Sequence, residues 1–154
     1  MLTLNSGNAP RRCGWNSDYP RALAKNPDEA PLHTATGTAG SMLSDRLSWY
    51  SDLKGPSIQM NTACSSSMMA VDLACQSLRS RQSSMALVAR SNLILSPELS
   101  VYLTKMNFLS PDGVCYSFDH RANGYGQGEG IIVLVSKPLP AAISDGKEPP
   151  SLLY

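Results

Sequence analysis

The sequence predicts an α/β fold built on a parallel sheet. Three stretches carry that prediction. Ser57-Ile58-Gln59-Met60 alternates polar and apolar side chains at period two, the mark of a strand. Met68 to Arg81 then changes to helical period: Met68, Val71, Cys75 and Leu78 share one face, and Asp72, Gln76 and Arg79 share another. Met85-Ala86-Leu87-Val88-Ala89 is a short unbroken apolar run, which reads as a parallel strand buried on both faces. Strand, helix and strand in that order form one βαβ unit.

The remaining elements follow in chain order. Residues 1–17 hold no clear period. Asn5, Ser6, Gly7, Asn8 and Pro10 are loop formers, so this segment is expected to be irregular. Asp18 is placed to cap a short helix to Lys25, with Pro20 early in it and Asn26-Pro27 ending it. Leu43, Leu47 and Tyr50 repeat at helical spacing and predict one helix over Thr34 to Ser51. Gly37 and Gly40 offer a surface where another backbone can approach. Trp49 and Tyr50 are read as core aromatics. Asp52 to Pro56 is a turn leading into the first strand.

Beyond Ala89, Arg90 interrupts the apolar run. Ser96-Pro97-Glu98 opens a helix to about Met106, with Ser at the cap, Pro at the first position and an acid in the first turn. Leu109 to Gly130 is loop-rich, with a turn at Asp112-Gly113. Gly124, Gly126, Gly128 and Gly130 alternate. They fail the G-x-G-x-x-G fingerprint because Glu129 stands where the third glycine belongs, and because they precede a strand instead of opening a helix. Such glycines let backbone pass close to backbone or to a ligand. Ile131 to Val135 is the clearest candidate for a buried strand. Pro138 to Asp145 predicts a last helix stopped by Gly146, and residues 148–154 form a tail.

Composition narrows the function. The 154 residues are 42% hydrophobic and 16% charged, which fits a globular domain with a real core. A net charge of +1 leaves no electrostatic footprint for nucleic acid or an anionic membrane. The cysteines Cys13, Cys64, Cys75 and Cys115 show no C-x-x-C spacing, and the only histidines are His33 and His120, which argues against a zinc site. The low cysteine density points to a reducing, cytoplasmic compartment rather than a disulfide framework. No apolar run approaches the roughly 20 residues that span a bilayer.

Cys64 sits where a strand stops and a helix starts. The first helical turn presents unpaired N–H groups and a partial positive charge, and both favour a thiolate over a thiol. The alternative is a buried cysteine acting as a small hydrophobe.

The wording around it is more specific. Leu53-Lys54-Gly55-Pro56-Ser57, Thr62-Ala63-Cys64-Ser65-Ser66-Ser67 and Ala74-Cys75-Gln76-Ser77-Leu78-Arg79 come first. Asn92 to Pro97, Phe108 to Gly113, Cys115 to Asp119 and Ala122 to Gly130 follow in order. Together these blocks resemble the ketosynthase domain of fungal-type polyketide synthases, within the β-ketoacyl synthase family, over roughly residues 18–147. The resemblance implies a partial thiolase-like αβαβα fold, a fragment of its N-terminal half. It implies that Cys64 accepts an acyl chain from a thioester, with its backbone N–H forming part of an oxyanion hole. It also implies decarboxylative Claisen condensation with a malonyl-type extender on an acyl carrier protein, whose phosphopantetheine carries the substrate. No cofactor or metal is expected on the domain itself, and a homodimer is expected, with Ser57 to Thr62 as a pairing edge.

Three departures qualify the likeness. The chain stops before the family's two histidine motifs, and neither His33 nor His120 stands in one. The upstream part of the family's first half is not recognisable in residues 1–17. Ala89-Arg90 replaces a usual pair of glycines, and Asn61 stands where aspartate is common. Three readings therefore stand: a ketosynthase fragment that does not complete the condensation alone, a non-catalytic remnant that pairs with a ketosynthase, and a cysteine hydrolase needing a base from His33 or His120.

Overall fold

The computed structural model describes residues 2–5, 23 and 25–146. They fall into two compact units. The first comprises residues 2–5, 39–91 and 131–146, and the second comprises residues 23, 25–38 and 92–130. The predicted tail at 148–154 and almost all of the predicted helix at 18–25 lie outside the described residues.

The first unit is a four-stranded sheet with helices. Its strands are β1 (Leu2–Asn5), β2 (Ser57–Gln59), β3 (Ala86–Asn92) and β4 (Gly130–Ser136), in spatial order β2-β1-β3-β4. β1 runs parallel to both neighbours, pairing Thr3 with Ser57 and with Leu87. The parallel βαβ unit read from the sequence is thus present, with one addition. Leu2–Asn5, expected to be irregular, forms the strand between β2 and β3. Four residues flanked by loop formers are too few to show a period, so long-range pairing makes this strand and local signal does not.

Helix α2 (Ser41–Tyr50) packs on β1 and β2, and helix α3 (Ser66–Arg79) packs on β1. The core is a cluster of Ala70 and Ala74 from α3 with Ala86 and Val88 from β3, flanked by Met60, Val71, Leu73 and Leu78. Val71 and Leu78 of the expected apolar face pack against the core, but the buried centre of α3 is turned toward small residues. Ser66, Ala70, Ala74 and Ser77 are buried, while Met68 is exposed. Small side chains bring the helix axis close to the sheet, whereas the periodicity counted only large apolar residues. Ser77 and Ser83 satisfy each other inside, with their hydroxyls 3.0 Å apart.

The helix expected over Thr34 to Ser51 is broken. A single turn, α1 (Thr34–Gly37), ends before α2 begins, and the two belong to different units. Two glycines disfavour a continuous helix. The threonines also bond locally: Thr34 Oγ1 donates to Pro31 C=O at 2.6 Å and Thr38 Oγ1 to Thr34 C=O at 2.7 Å. A Cβ added at Gly37 would meet nothing within 4 Å, so no backbone approaches there. Trp49 and Tyr50, read as core aromatics, are each 85% exposed.

β4 is the larger correction. Ile131 to Val135 read as the clearest buried strand, yet these five residues are between 46% and 70% exposed. Among the described residues β4 lies at the edge of the sheet, with one side unpaired by any described strand. Arg90 of β3 is only half-buried, which lets its cation reach water. Helix α5 (Leu139–Ser144) follows β4 and stops before Gly146, whose φ is +68°.

The second unit holds α1, helix α4 (Glu98–Lys105) and the glycine loop. Pro97, not Ser96, occupies the cap of α4. Phe108 C=O accepts from Tyr125 N–H at 2.9 Å and Tyr125 C=O from Ser110 N–H at 3.0 Å, which closes the loop. Backbone is what the glycines approach: a Cβ on Gly124 would lie 2.5 Å from Ser110 N, and one on Gly126 would overlap Gly113 C=O. Gly128 and Gly130 meet nothing within 4 Å. No described helix is long and apolar enough to cross a membrane.

Candidate active site

Cys64 lies on the short connection from β2 to α3, wholly within the first unit. Ala63–Ser65 form one 3-10 turn, and α3 begins at Ser66. The turn is sharp because Ala63 holds φ at +56°, in the left-handed region. A residue with a Cβ resists that conformation by about 1–2 kcal/mol, so the surroundings must impose it.

Polar side chains do so. Asn61 Oδ1 accepts from Ala63 N–H at 3.0 Å. Ser66 Oγ accepts from Thr62 N–H at 2.8 Å and donates to Ala63 C=O at 2.7 Å. Ser65 Oγ lies 2.8 Å from Thr62 C=O and 2.9 Å from Thr62 Oγ1, so one serine proton and one threonine proton tie the turn together. Asn61, Thr62, Ala63, Cys64 and Ser65 are all exposed, while Ser66 is buried at 4%. The elbow stands on the surface, anchored from beneath by one hydroxyl.

This arrangement suits a nucleophile. Cys64 is an exposed free thiol, so the reading of a buried small hydrophobe fails for it. Helix α3 is 14 residues long and directs its positive end at the turn. Ser65, at its N-cap, makes no side-chain bond to the first-turn N–H groups because its hydroxyl is turned back to Thr62. The helix end next to Cys64 is therefore not occupied by a capping side chain.

Cys75 is half-buried on α3, and Cys115 is an exposed thiol whose Sγ accepts from Gly126 N–H at 3.1 Å. His33 and His120 belong to the second unit, and both are exposed. His120 Nδ1 is 3.2 Å from Asp119. Asp119 is held below the usual carboxylate range by the side-chain bond from Arg121, then by the Arg121 backbone N–H. Arg121 also lies over the Tyr116 ring, 4.7 Å from its centroid. Among the described residues, no group of three or more His, Cys, Asp or Glu is placed to hold a metal. A shallow cavity of about 360 Å³ beside β2 and α3, lined by Pro56, Ile58, Leu73 and Gln76 among others, excludes Cys64 and carries no titratable side chain.

Sequence motifs named the serines and Asn61 only as parts of a pattern. Their joint role in bending the turn was hidden, because nothing local says that Ala63 adopts positive φ.

Comparison with known proteins gives a consistent result. Residues 13–142 match the family described as beta-ketoacyl synthase, N-terminal domain. The chain is 51% identical over 128 residues to the compactin diketide synthase mlcB of Penicillium citrinum, covering 83% of this chain and 5% of that one. It is 52% identical over 130 residues to highly reducing polyketide synthase 2 of Gibberella zeae, covering 84% and 5%. Among solved structures, the ketosynthase from module 6 of the bacillaene synthase from Bacillus subtilis 168 superposes with a TM-score of 0.75 at 33% identity, covering 94% of this chain and 23% of that one. The chain thus spans about 5% of the length of these curated relatives.

Proposed function

The chain belongs to the beta-ketoacyl synthase family, and from that premise we propose that Cys64 is the acyl-accepting nucleophile of a polyketide-type ketosynthase. Its fold is the thiolase-like αβαβα fold of the ketosynthases it superposes on, in partial form. The observation that carries the proposal is the exposed Cys64 thiol on a strained elbow, directly before the open N-terminus of α3.

The step is acyl transfer. The Cys64 sulfur, as thiolate, attacks the carbonyl carbon of an acyl thioester and forms a new C–S bond, leaving negative charge on the carbonyl oxygen. The Cys64 backbone N–H and the helix end stabilise that charge. Collapse breaks the bond to the donor sulfur, which leaves as thiolate and takes up the proton Cys64 has lost. The donor is an acyl group on the phosphopantetheine arm of an acyl carrier protein, so that arm enters as substrate. In the longer synthase, the acyl group then receives the carbanion made by decarboxylation of a malonyl-type thioester. For this chain the proposal ends at the acyl-enzyme, because His33 and His120 stand outside the family's histidine motifs. A cytoplasmic setting belongs to the same proposal, and the free thiols of Cys64, Cys75 and Cys115 support it.

Intact-mass spectrometry of the purified chain, incubated with an acyl-pantetheine thioester, tests this. We expect one acyl adduct on the wild type and none on Cys64→Ala. An adduct that survives Cys64→Ala, or a wild type that stays unmodified, overturns the proposal.

A further inference from the structure

We propose that Ser66 is a positioning residue for acyl transfer: its buried hydroxyl fixes the direction of the Cys64 backbone N–H. The inference rests on the reading of Cys64 as an acyl acceptor. Its geometric basis is the planarity of the peptide bond. Ala63 C=O and Cys64 N–H belong to one trans peptide, so they point in opposite directions and rotate together. Ser66 donates twice to Ala63 C=O, from its backbone N–H and, at 2.7 Å, from Oγ, and the second donor fixes the carbonyl's direction. Whatever fixes that carbonyl therefore fixes the N–H on the far side of the same plane.

Ser66 is suited to hold it. Its residue is only 4% exposed, whereas Ala63 and Cys64 are exposed. The carbonyl is thus drawn toward the protein, and the Cys64 N–H is turned away from that anchor. The same hydroxyl accepts from Thr62 N–H at 2.8 Å, so its proton is committed to Ala63 and its rotation is restricted. On the other side of the turn, Asn61 Oδ1 accepts from Ala63 N–H at 3.0 Å. The two peptides flanking Ala63 are held separately, one by Asn61 and one by Ser66. Together they keep Ala63 at φ +56°. Without the Ser66 hydroxyl, Ala63 C=O keeps only the Ser66 backbone N–H, so the 63–64 peptide is held at one point instead of two, and the N–H tilts off the position where oxyanion charge develops.

Two reactions of the same sulfur separate this role from mere support of the fold. Acyl transfer creates an oxyanion and needs the directed N–H. Alkylation by iodoacetamide displaces iodide and creates none. Ser66→Ala is expected to slow acylation of Cys64 by an acyl-pantetheine thioester about 10- to 100-fold, a share of the roughly 10²–10³-fold lost with a whole oxyanion donor. Alkylation is expected to stay within about threefold, since the thiol remains exposed on the same helix end. Ser66→Thr keeps the hydroxyl and is expected to restore most of the acylation rate. Equal loss in both reactions, or failure of Ser66→Thr where the thermal melt is unchanged, shows a structural role only and overturns the inference. Acylation of Ser66→Ala at the wild-type rate does the same. A wild type that is alkylated at Cys64 yet never acylated overturns instead the underlying reading of Cys64.

Discussion

β3 and β4 are two strands of one sheet, both read from sequence as buried and both rich in aliphatic side chains. Their fates differ. Ala86, Val88 and Ala89 of β3 are buried, whereas Ile131 to Val135 of β4 are half or more exposed. The difference is not composition, since β4 is the more apolar. β3 has β1 paired along one side and alanines of α3 against it, while β4 ends the sheet formed by the described residues. An apolar run states a demand for cover, and topology decides whether the cover is supplied. An edge strand with this sequence is an adhesive surface.

The contrast can be broken most sharply by placing the same charge on each strand. Val88→Asp buries an unpaired carboxylate against Ala70 and Ala74 and is expected to cost on the order of 4 kcal/mol or more, enough to abolish the cooperative melt. Val133→Asp is expected to shift stability by less than about 0.5 kcal/mol and to raise solubility. Urea titration of both variants checks this. If the two lose equal stability, β4 is buried in solution and the contrast falls.

A smaller effect tests why β3 is interior. Leu4→Pro removes a donor from a strand paired on both sides, and is expected to cost about 2–3 kcal/mol. Hydrogen exchange should show it first as lost protection at Leu87 to Ala89, with β4 little changed. Unchanged protection in β3 would mean that β1 does not hold it.

The smallest effect concerns an ion pair in the second unit. Arg121 keeps the Asp119 carboxyl below its ordinary range; Arg121 is exposed and Asp119 half-buried. A carboxylate with a lowered pKa in the folded chain stabilises above its unfolded value, and that contribution disappears as pH falls through the folded one. Arg121 side-chain exchange, followed by NMR, should therefore accelerate only well into acid. Asp119→Asn should remove that pH dependence while leaving the β3 melt in place. A profile identical to wild type would show that the ion pair is idle.

Much of this molecule was legible before its structure. The strand–helix–strand order around Cys64, the helix after Pro97 and the turn at Asp112-Gly113 rest on local chemistry, such as periodicity and turn residues, whereas the family-specific words rest on resemblance. Other features were not legible for identifiable reasons. The fully buried positions of α3 are Ala and Ser, which carry little hydrophobic period. Tyr50 continues the helical repeat of Leu43 and Leu47, and Trp49 is a large aromatic beside it, yet both are exposed among the described residues. β1 is too short to announce itself.

The sequence by itself determined that a cysteine stands between a strand and a helix, and which family uses that wording. Only the tertiary structure decided that Ala63 is left-handed, that Cys64 is exposed while Ser66 is buried, and that β4 is uncovered. Local residues set which conformations are cheap. The elbow adopts an expensive one because Asn61 Oδ1 accepts from Ala63 N–H while Ser66 donates to Ala63 C=O, and the two bonds coincide only in the folded chain.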